Sequence, residues 1–126
     1  MDKGIEAEFV CSCIRREYRE RLLFELQSQK HRPKALSRFA HDCQSILQSG
    51  YRVFGTGELE SLITASAQTQ GYLISDGQGD GMTLPVAKAM DTLHQAYLAT
   101  ILITPHFTVI KPEAEGGKQV FYLFEK

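Results

Sequence analysis

Two short stretches of this chain hold residue types that can do recognition chemistry. Lys30-His31-Arg32-Pro33-Lys34 places three cations and an imidazole together, a composition suited to a carboxylate, a phosphate or an acidic surface. Asp76-Gly77-Gln78-Gly79-Asp80-Gly81 mixes glycines with two carboxylates and an amide. That is the composition of a loop that wraps a phosphate or, through its carboxylates, a cation.

The first stretch belongs to a wider basic run. Eight Lys or Arg residues fall between Ile14 and Arg38, against the acids Glu17, Glu20 and Glu25. The whole chain carries 14 basic and 15 acidic residues, so the positive charge is local. Helical spacing cancels part of it, because Arg16 lies four residues from Glu20, Arg21 from Glu17 and Glu25, and Arg38 from Asp42. The cations left over are Arg15, Arg19, Lys30, Arg32 and Lys34, with His31 among them. The bland reading is a solvated turn whose cations complement a helix C-terminus. The functional reading is an anion or partner contact made by Lys30, His31, Arg32 and Lys34, with Arg15 and Arg19 on the flank. No aromatic residue interleaves with the basic ones in the turn, so base stacking is not implied. A DNA-reading helix-turn-helix is disfavoured too, because it needs a short first helix and the pattern here runs for about six turns.

The second stretch, Asp76, Gly77, Gly79, Asp80 and Gly81, follows an expected strand and precedes an expected helix, where α/β proteins place ligand loops. Its glycine spacing is not the dinucleotide fingerprint, and no Lys-Ser or Lys-Thr pair follows Gly81 as a P-loop requires. As a calcium loop it matches at Asp76, Asp80 and Gly81. It fails at the twelfth position, where Ala87 stands in place of a bidentate Glu. A flexible run of turn-formers is the simpler account.

Other reactive residues do not assemble into known sets. Cys11 and Cys13 are two apart on an expected helix, about 200° around its axis, and cannot readily chelate one metal. His41 and Cys43 have the same fault, so the cysteines read as small buried hydrophobes. His31, His41, His94 and His106 are scattered, and Ser75 lacks the Gly-x-Ser-x-Gly frame of a nucleophile elbow. The chain therefore reads as a binding protein and not as an enzyme, with no cofactor and no metal.

The elements that must position these stretches follow from periodicity. Val10, Ile14, Tyr18, Leu22 and Leu26 recur every four residues and predict one long helix over residues 5–27. After a polar turn, Pro33 starts a second helix whose face is Leu36, Phe39, Ala40, Cys43, Ile46 and Leu47, closed by Gly50. These two form a helical hairpin. Tyr51 to Phe54 reads as a short strand, Glu58 to Ala67 as a helix and Gly71 to Ser75 as a strand. Thr83 and Pro85 suit the start of a further helix, which leads to the β-branched strand Leu98 to Thr104. Strand, helix, strand predicts a right-handed βαβ crossover. Phe107 to Ile110 and Gln119 to Phe124 predict a hairpin turning at Glu115-Gly116-Gly117.

At 126 residues, 43% apolar and 23% charged, the chain has the size and composition of one soluble domain with a core that needs no staples. Its start, Met1-Asp2-Lys3-Gly4-Ile5-Glu6, lacks a signal-peptide core, and three cysteines cannot all pair. Both point to a cytoplasmic protein. The expectation is a single α+β domain over residues 1–126. It has an N-terminal helical hairpin packed on a small mixed β-sheet, with a βαβ unit and a C-terminal β-hairpin. Its expected work is binding through the basic hairpin turn to an acidic protein surface or a nucleic acid, with no membrane partner. The alternatives are a small ligand-binding domain or enzyme centred on loop 76–81, and a structural subunit whose long first helix packs against its own copy.

Overall fold

A strand such as Ile101-Leu102-Ile103, apolar at every position, must be covered on both faces, because successive side chains point to opposite sides of a sheet. The computed structural model, which describes residues 2–65, 69–75, 77, 79–95, 100–112 and 119–126, is organised around that requirement. Among the described residues six strands form one sheet in the order β1-β6-β5-β4-β2-β3. They are β1 (Arg52–Phe54), β2 (Gln70–Ser75), β3 (Thr83–Pro85), β4 (Thr100–Ile103), β5 (Phe107–Lys111) and β6 (Phe121–Glu125). Helices α1 (Lys3–Cys13), α2 (Arg16–Gln27) and α3 (Arg32–Ile46) pack on one face, and α4 (Thr56–Ala65) and α5 (Val86–Gln95) on the other.

The two cores share strands and alternate along them. Tyr72, Ile74, Ile101, Ile103, Ile110, Tyr122 and Phe124 pack with α1–α3. Leu73, Leu102, Val109, Phe121 and Leu123 pack with Leu59 and Ile63 of α4 and with Val86, Ala89, Met90 and Leu93 of α5. Close packing demands a glycine at position 71, where an ideal Cβ would stand 2.4 Å from Cδ1 of the fully buried Leu102. Buried Lys111, at the end of β5, donates to Leu93 O (2.7 Å) and His94 O (3.3 Å) and so caps the C-terminal carbonyls of α5. Burial holds its pKa below the usual lysine value. Helices on both faces of one antiparallel sheet make this an α+β protein, as expected. The helical hairpin of α2 and α3 and the terminal hairpin of β5 and β6 are also present. The expected turn at Glu115 lies outside the described residues. No described helix is long and apolar enough to cross a membrane.

Four local expectations are corrected. The long helix over 5–27 is broken at Ile14 and Arg15, because Ile14 pairs as an isolated antiparallel bridge with Leu47. Gln48 N–H donates to Cys13 O (2.8 Å) and Arg15 N–H to Ile46 O (2.9 Å). The end of α1 and the end of α3 thus complete each other's backbone hydrogen bonds, and this tertiary pairing overrides the four-residue period. Tyr18, expected on the apolar stripe, is 43% exposed as a result. Gly50 does not close α3, which ends at Ile46 with extended Leu47 as its cap; Gly50 takes a positive φ of 103° three residues beyond that cap. Thr83 and Pro85 are not the start of a helix but strand β3, paired to β2 with Tyr72 opposite Thr83. A proline is tolerated there because β3 is an edge strand. Finally, among the described residues there is no βαβ crossover and no parallel strand pair. The β2–β3 hairpin reverses the chain before α5, so β4 returns antiparallel to β2, and every strand pair is antiparallel.

The core placement of the cysteines yields a direct test. Burial pushes the thiols of Cys13 and Cys43 up to about 12 from the ordinary 9.0, whereas Cys11 is exposed. A raised folded-state pKa stabilises the fold fully below pH 9, and that contribution is lost as pH climbs from 9 towards 12, because only the unfolded chain then ionises. A thiol reagent at neutral pH is expected to modify Cys11 alone in the native protein and all three cysteines in concentrated guanidinium. Prompt native-state reaction at Cys13 or Cys43 would contradict this packing.

Candidate ligand-binding cleft

The site lies where the start of α3 meets the loop that follows β2. The turn between α2 and α3 is closed locally: His31 N–H and Arg32 N–H both donate to Ser28 O, at 3.1 and 2.9 Å. Ser28 Oγ and His31 Nδ1 share a 2.8 Å hydrogen bond, and the His31 ring lies 5.9 Å from that of Phe24. Pro33 occupies the first turn of α3, where a missing N–H loses no helix bond. This geometry leaves Lys30 and Lys34 exposed and sends Arg32 inward.

Arg32 is 4% exposed, and all five of its N–H donors are used. Nη1 donates to Glu6 Oε1 (2.7 Å) and to Leu26 O (2.8 Å). Nη2 donates to Glu6 Oε2 (2.9 Å) and Asp80 Oδ1 (2.7 Å), and Nε donates to Asp80 Oδ2 (2.9 Å). Glu6, on α1, is 2% exposed and also accepts from the Tyr72 hydroxyl of β2 (2.6 Å). That hydroxyl in turn accepts from the backbone N–H of Asp2 (3.0 Å). Desolvation works against the guanidinium's charge, but the hydrogen bonds to Glu6 and Asp80 outweigh it and raise the Arg32 pKa above the usual arginine value. Burial first, and then the bond to Glu6, pushes the Tyr72 phenol up to about 12, so it remains a donor at any physiological pH.

Asp80 reaches Arg32 because of its loop. Gly81 N–H donates to Leu73 O (2.8 Å), and Met82 N–H to Gly79 O (3.0 Å). Gly79 and Gly81 take the left-handed φ values 84° and 75°, which fold the loop back over β2. The Asp80 carboxylate then accepts from Ser75 N–H (3.0 Å) as well as from Arg32. Arg32, expected as an outward contact of the turn, is thus drawn inward, and Asp80, expected as part of a ligand loop, is its partner. Among the described residues no group of three or more His, Cys, Asp or Glu is placed to hold a metal. Asp76 lies outside the described residues.

Arg15 and Arg19 brace the break between α1 and α2 instead of extending the turn. Arg15 Nε donates to Leu47 O (2.9 Å), and Arg19 donates to Ile14 O (2.8 Å) and Gln48 Oε1 (2.6 Å). Arg15 caps the start of α2 and Arg19 lies one turn in, so at about 1.5 Å per residue they stand about 18 Å and about 12 Å along the helix from its other end. Arg38 pairs with Glu25 rather than with the expected Asp42.

Turn and loop together wall a cleft of about 540 Å³, a volume in the range of small-molecule sites. Leu26, Pro33 and Leu36 give it an apolar side; Lys3, Gln27 and Gln29 bring a cation and two amides. Arg32, Asp80, Ser75 and Gly77 close the other side. The two sequence stretches singled out as separate candidates are thus one site, joined by the Arg32–Asp80 pair. Lys3, Gln27 and Gln29 carried no signal in the sequence, since only the tertiary fold brings the first turn of α1 to the end of α2. Glu6 did carry one, being an acid four residues before Val10 and three before Phe9, on the apolar stripe of its helix.

Removing Glu6 would leave a buried guanidinium with half its charge partners. Glu6→Ala is expected to cost about 3–5 kcal/mol in urea unfolding, while Lys30→Ser and Lys34→Ser each stay within about 0.5 kcal/mol of the parent. A loss under about 1 kcal/mol for Glu6→Ala would mean that the cluster is not the buried network described. Comparison with protein-family models, with curated proteins and with solved structures finds no match to this chain, so the chemistry of the cleft is what bears on function.

Proposed function

We propose that this protein is a binding domain for a small acidic molecule, taken up in the cleft between the α2–α3 turn and the β2–β3 loop. The observation that carries the reading is the cleft itself: about 540 Å³, with an apolar side, two amides, and the ammonium of Lys3 unmatched by any carboxylate on the lining except the already engaged Asp80. Lys30 and Lys34, exposed on the same turn, add positive potential near the entrance and favour an anionic ligand. Binding without chemistry is supported by the state of the lining. Its arginine has all five donors engaged by Glu6, Leu26 O and Asp80, its aspartate is held by Arg32 and Ser75 N–H, and no described histidine or cysteine lines it. Three free cysteines support a reducing, cytoplasmic location.

The wider reading, in which the basic turn docks an acidic protein or a nucleic acid, has less support. With Arg32 withdrawn and Arg15 and Arg19 engaged at the α1–α2 break, only Lys30 and Lys34 remain as outward fixed charges at the turn. Self-association through one long first helix loses its premise, because that helix is two.

A panel of small carboxylates and phosphates, screened by thermal shift and ligand-observed NMR, tests the proposal. At least one compound is expected to stabilise the protein, by about 2.7 kcal/mol at 100 times its dissociation constant. Gln29→Trp, which fills the cleft, is expected to abolish the shift, and Lys3→Ser to weaken it. No stabilisation by any acidic compound, or stabilisation untouched by Gln29→Trp, would overturn the reading.

A further inference from the structure

We propose that the donors converging on Asp80 form a site for an external oxyanion, and that the Asp80 carboxylate is an internal occupant which the acidic group of a ligand replaces. The inference rests on the cleft reading for the route by which that ligand arrives. Three N–H groups meet at the Asp80 carboxylate: Arg32 Nε at 2.9 Å, Arg32 Nη2 at 2.7 Å and Ser75 N–H at 3.0 Å. A side-on, two-point guanidinium contact plus a backbone N–H is how a carboxylate or phosphate is recognised, whatever chain carries it.

The receptor half of this site is held without Asp80. Glu6 grips the inner edge of the guanidinium through Nη1 and Nη2, and Leu26 O takes the remaining Nη1 proton. Glu6 is itself fixed by the Tyr72 hydroxyl, so Arg32 keeps its orientation if Asp80 leaves. The two carboxylates are unequal. The Glu6 side chain is 2% exposed and sits on a helix; the Asp80 side chain is 19% exposed, lines the cleft, and sits between two left-handed glycines. Exchange of Asp80 for a ligand carboxylate leaves the charge around Arg32 unchanged. A phosphate dianion adds one negative charge, for which Lys3 is the cation on the same cleft.

Chemical rescue of Asp80→Ala tests this directly. The variant is expected to melt below the parent, and acetate or inorganic phosphate, titrated at constant ionic strength with chloride, is expected to restore its Tm saturably. The affinity for the rescuing anion should be at least tenfold tighter than in the parent, and the Ser75 amide resonance should shift along the same curve. The acetate and phosphate arms separate a carboxylate from a phosphate as the natural group. Arg32→Met/Asp80→Ala, which lacks the receptor, should show no rescue. Asp80→Asn, read through the Ser75 amide, serves if the alanine variant does not fold. An Asp80 variant that responds to neither anion more than the parent does would overturn the proposal. That failure is distinct from failure of the cleft reading: binding of acidic fragments by the parent together with no rescue overturns only the replacement of Asp80. Rescue with no fragment binding supports the oxyanion site and counts against the cleft as its entrance.

Discussion

The described structure turns on one guanidinium. Arg32 is out of water, with its five donors divided between two carboxylates and one carbonyl, and it ties α1, the end of α2, the start of α3 and the β2–β3 loop into one unit. Lysine could not take this place: its ammonium has three donors on a point charge and no planar fork to face two carboxylates at once. Desolvating such a group costs several kcal/mol, so the cluster is stabilising only while every partner is present. Its arrangement is correspondingly complete, down to the phenol behind Glu6 and the Ser75 amide beneath Asp80. Among the described residues no buried side-chain polar atom lacks a hydrogen-bond partner.

The same constraint places the cleft. Because Arg32 is drawn inward by Glu6, the turn before it is pulled against the sheet, and because Asp80 is drawn to Arg32, the glycine loop is folded down to meet that turn. What remains between them is a recess with apolar, amide and cationic walls. Away from this point the layers are held by ordinary means. Apolar strands alternate between two cores, Lys111 caps α5, and the Ile14–Leu47 bridge stitches the ends of α1 and α3 together.

Much of the fold was legible in the residues. The α2–α3 hairpin follows from two amphipathic runs separated by a polar turn with Pro33, and the strand of 101–103 from its unbroken apolar character. Local pattern could not give strand direction. Thr83 and Pro85 fit a helix start as well as an edge strand; the first implies a parallel crossover, the second the antiparallel return that β4 makes. Nor could periodicity see the break at Ile14, since its cause, Leu47, lies far along the chain. The site was half legible: both of its sequence stretches stood out by composition, but their union did not. Lys30, Arg32 and Lys34 look alike in a row of alternating cations. What separates Arg32 is Glu6 on another helix, whose place on an apolar face was the one available hint.

The most direct test of the account is the side-chain NMR of Arg32. If its guanidinium is locked between Glu6, Leu26 and Asp80, its Nε–H and Nη protons will give separate, slowly exchanging resonances at 25 °C in 15N-labelled protein. Those of Arg21, whose side chain is 76% exposed, will exchange rapidly with water. Arg32 protons that average and exchange as fast as those of Arg21 would contradict the buried network, and with it the union of turn and loop into one site.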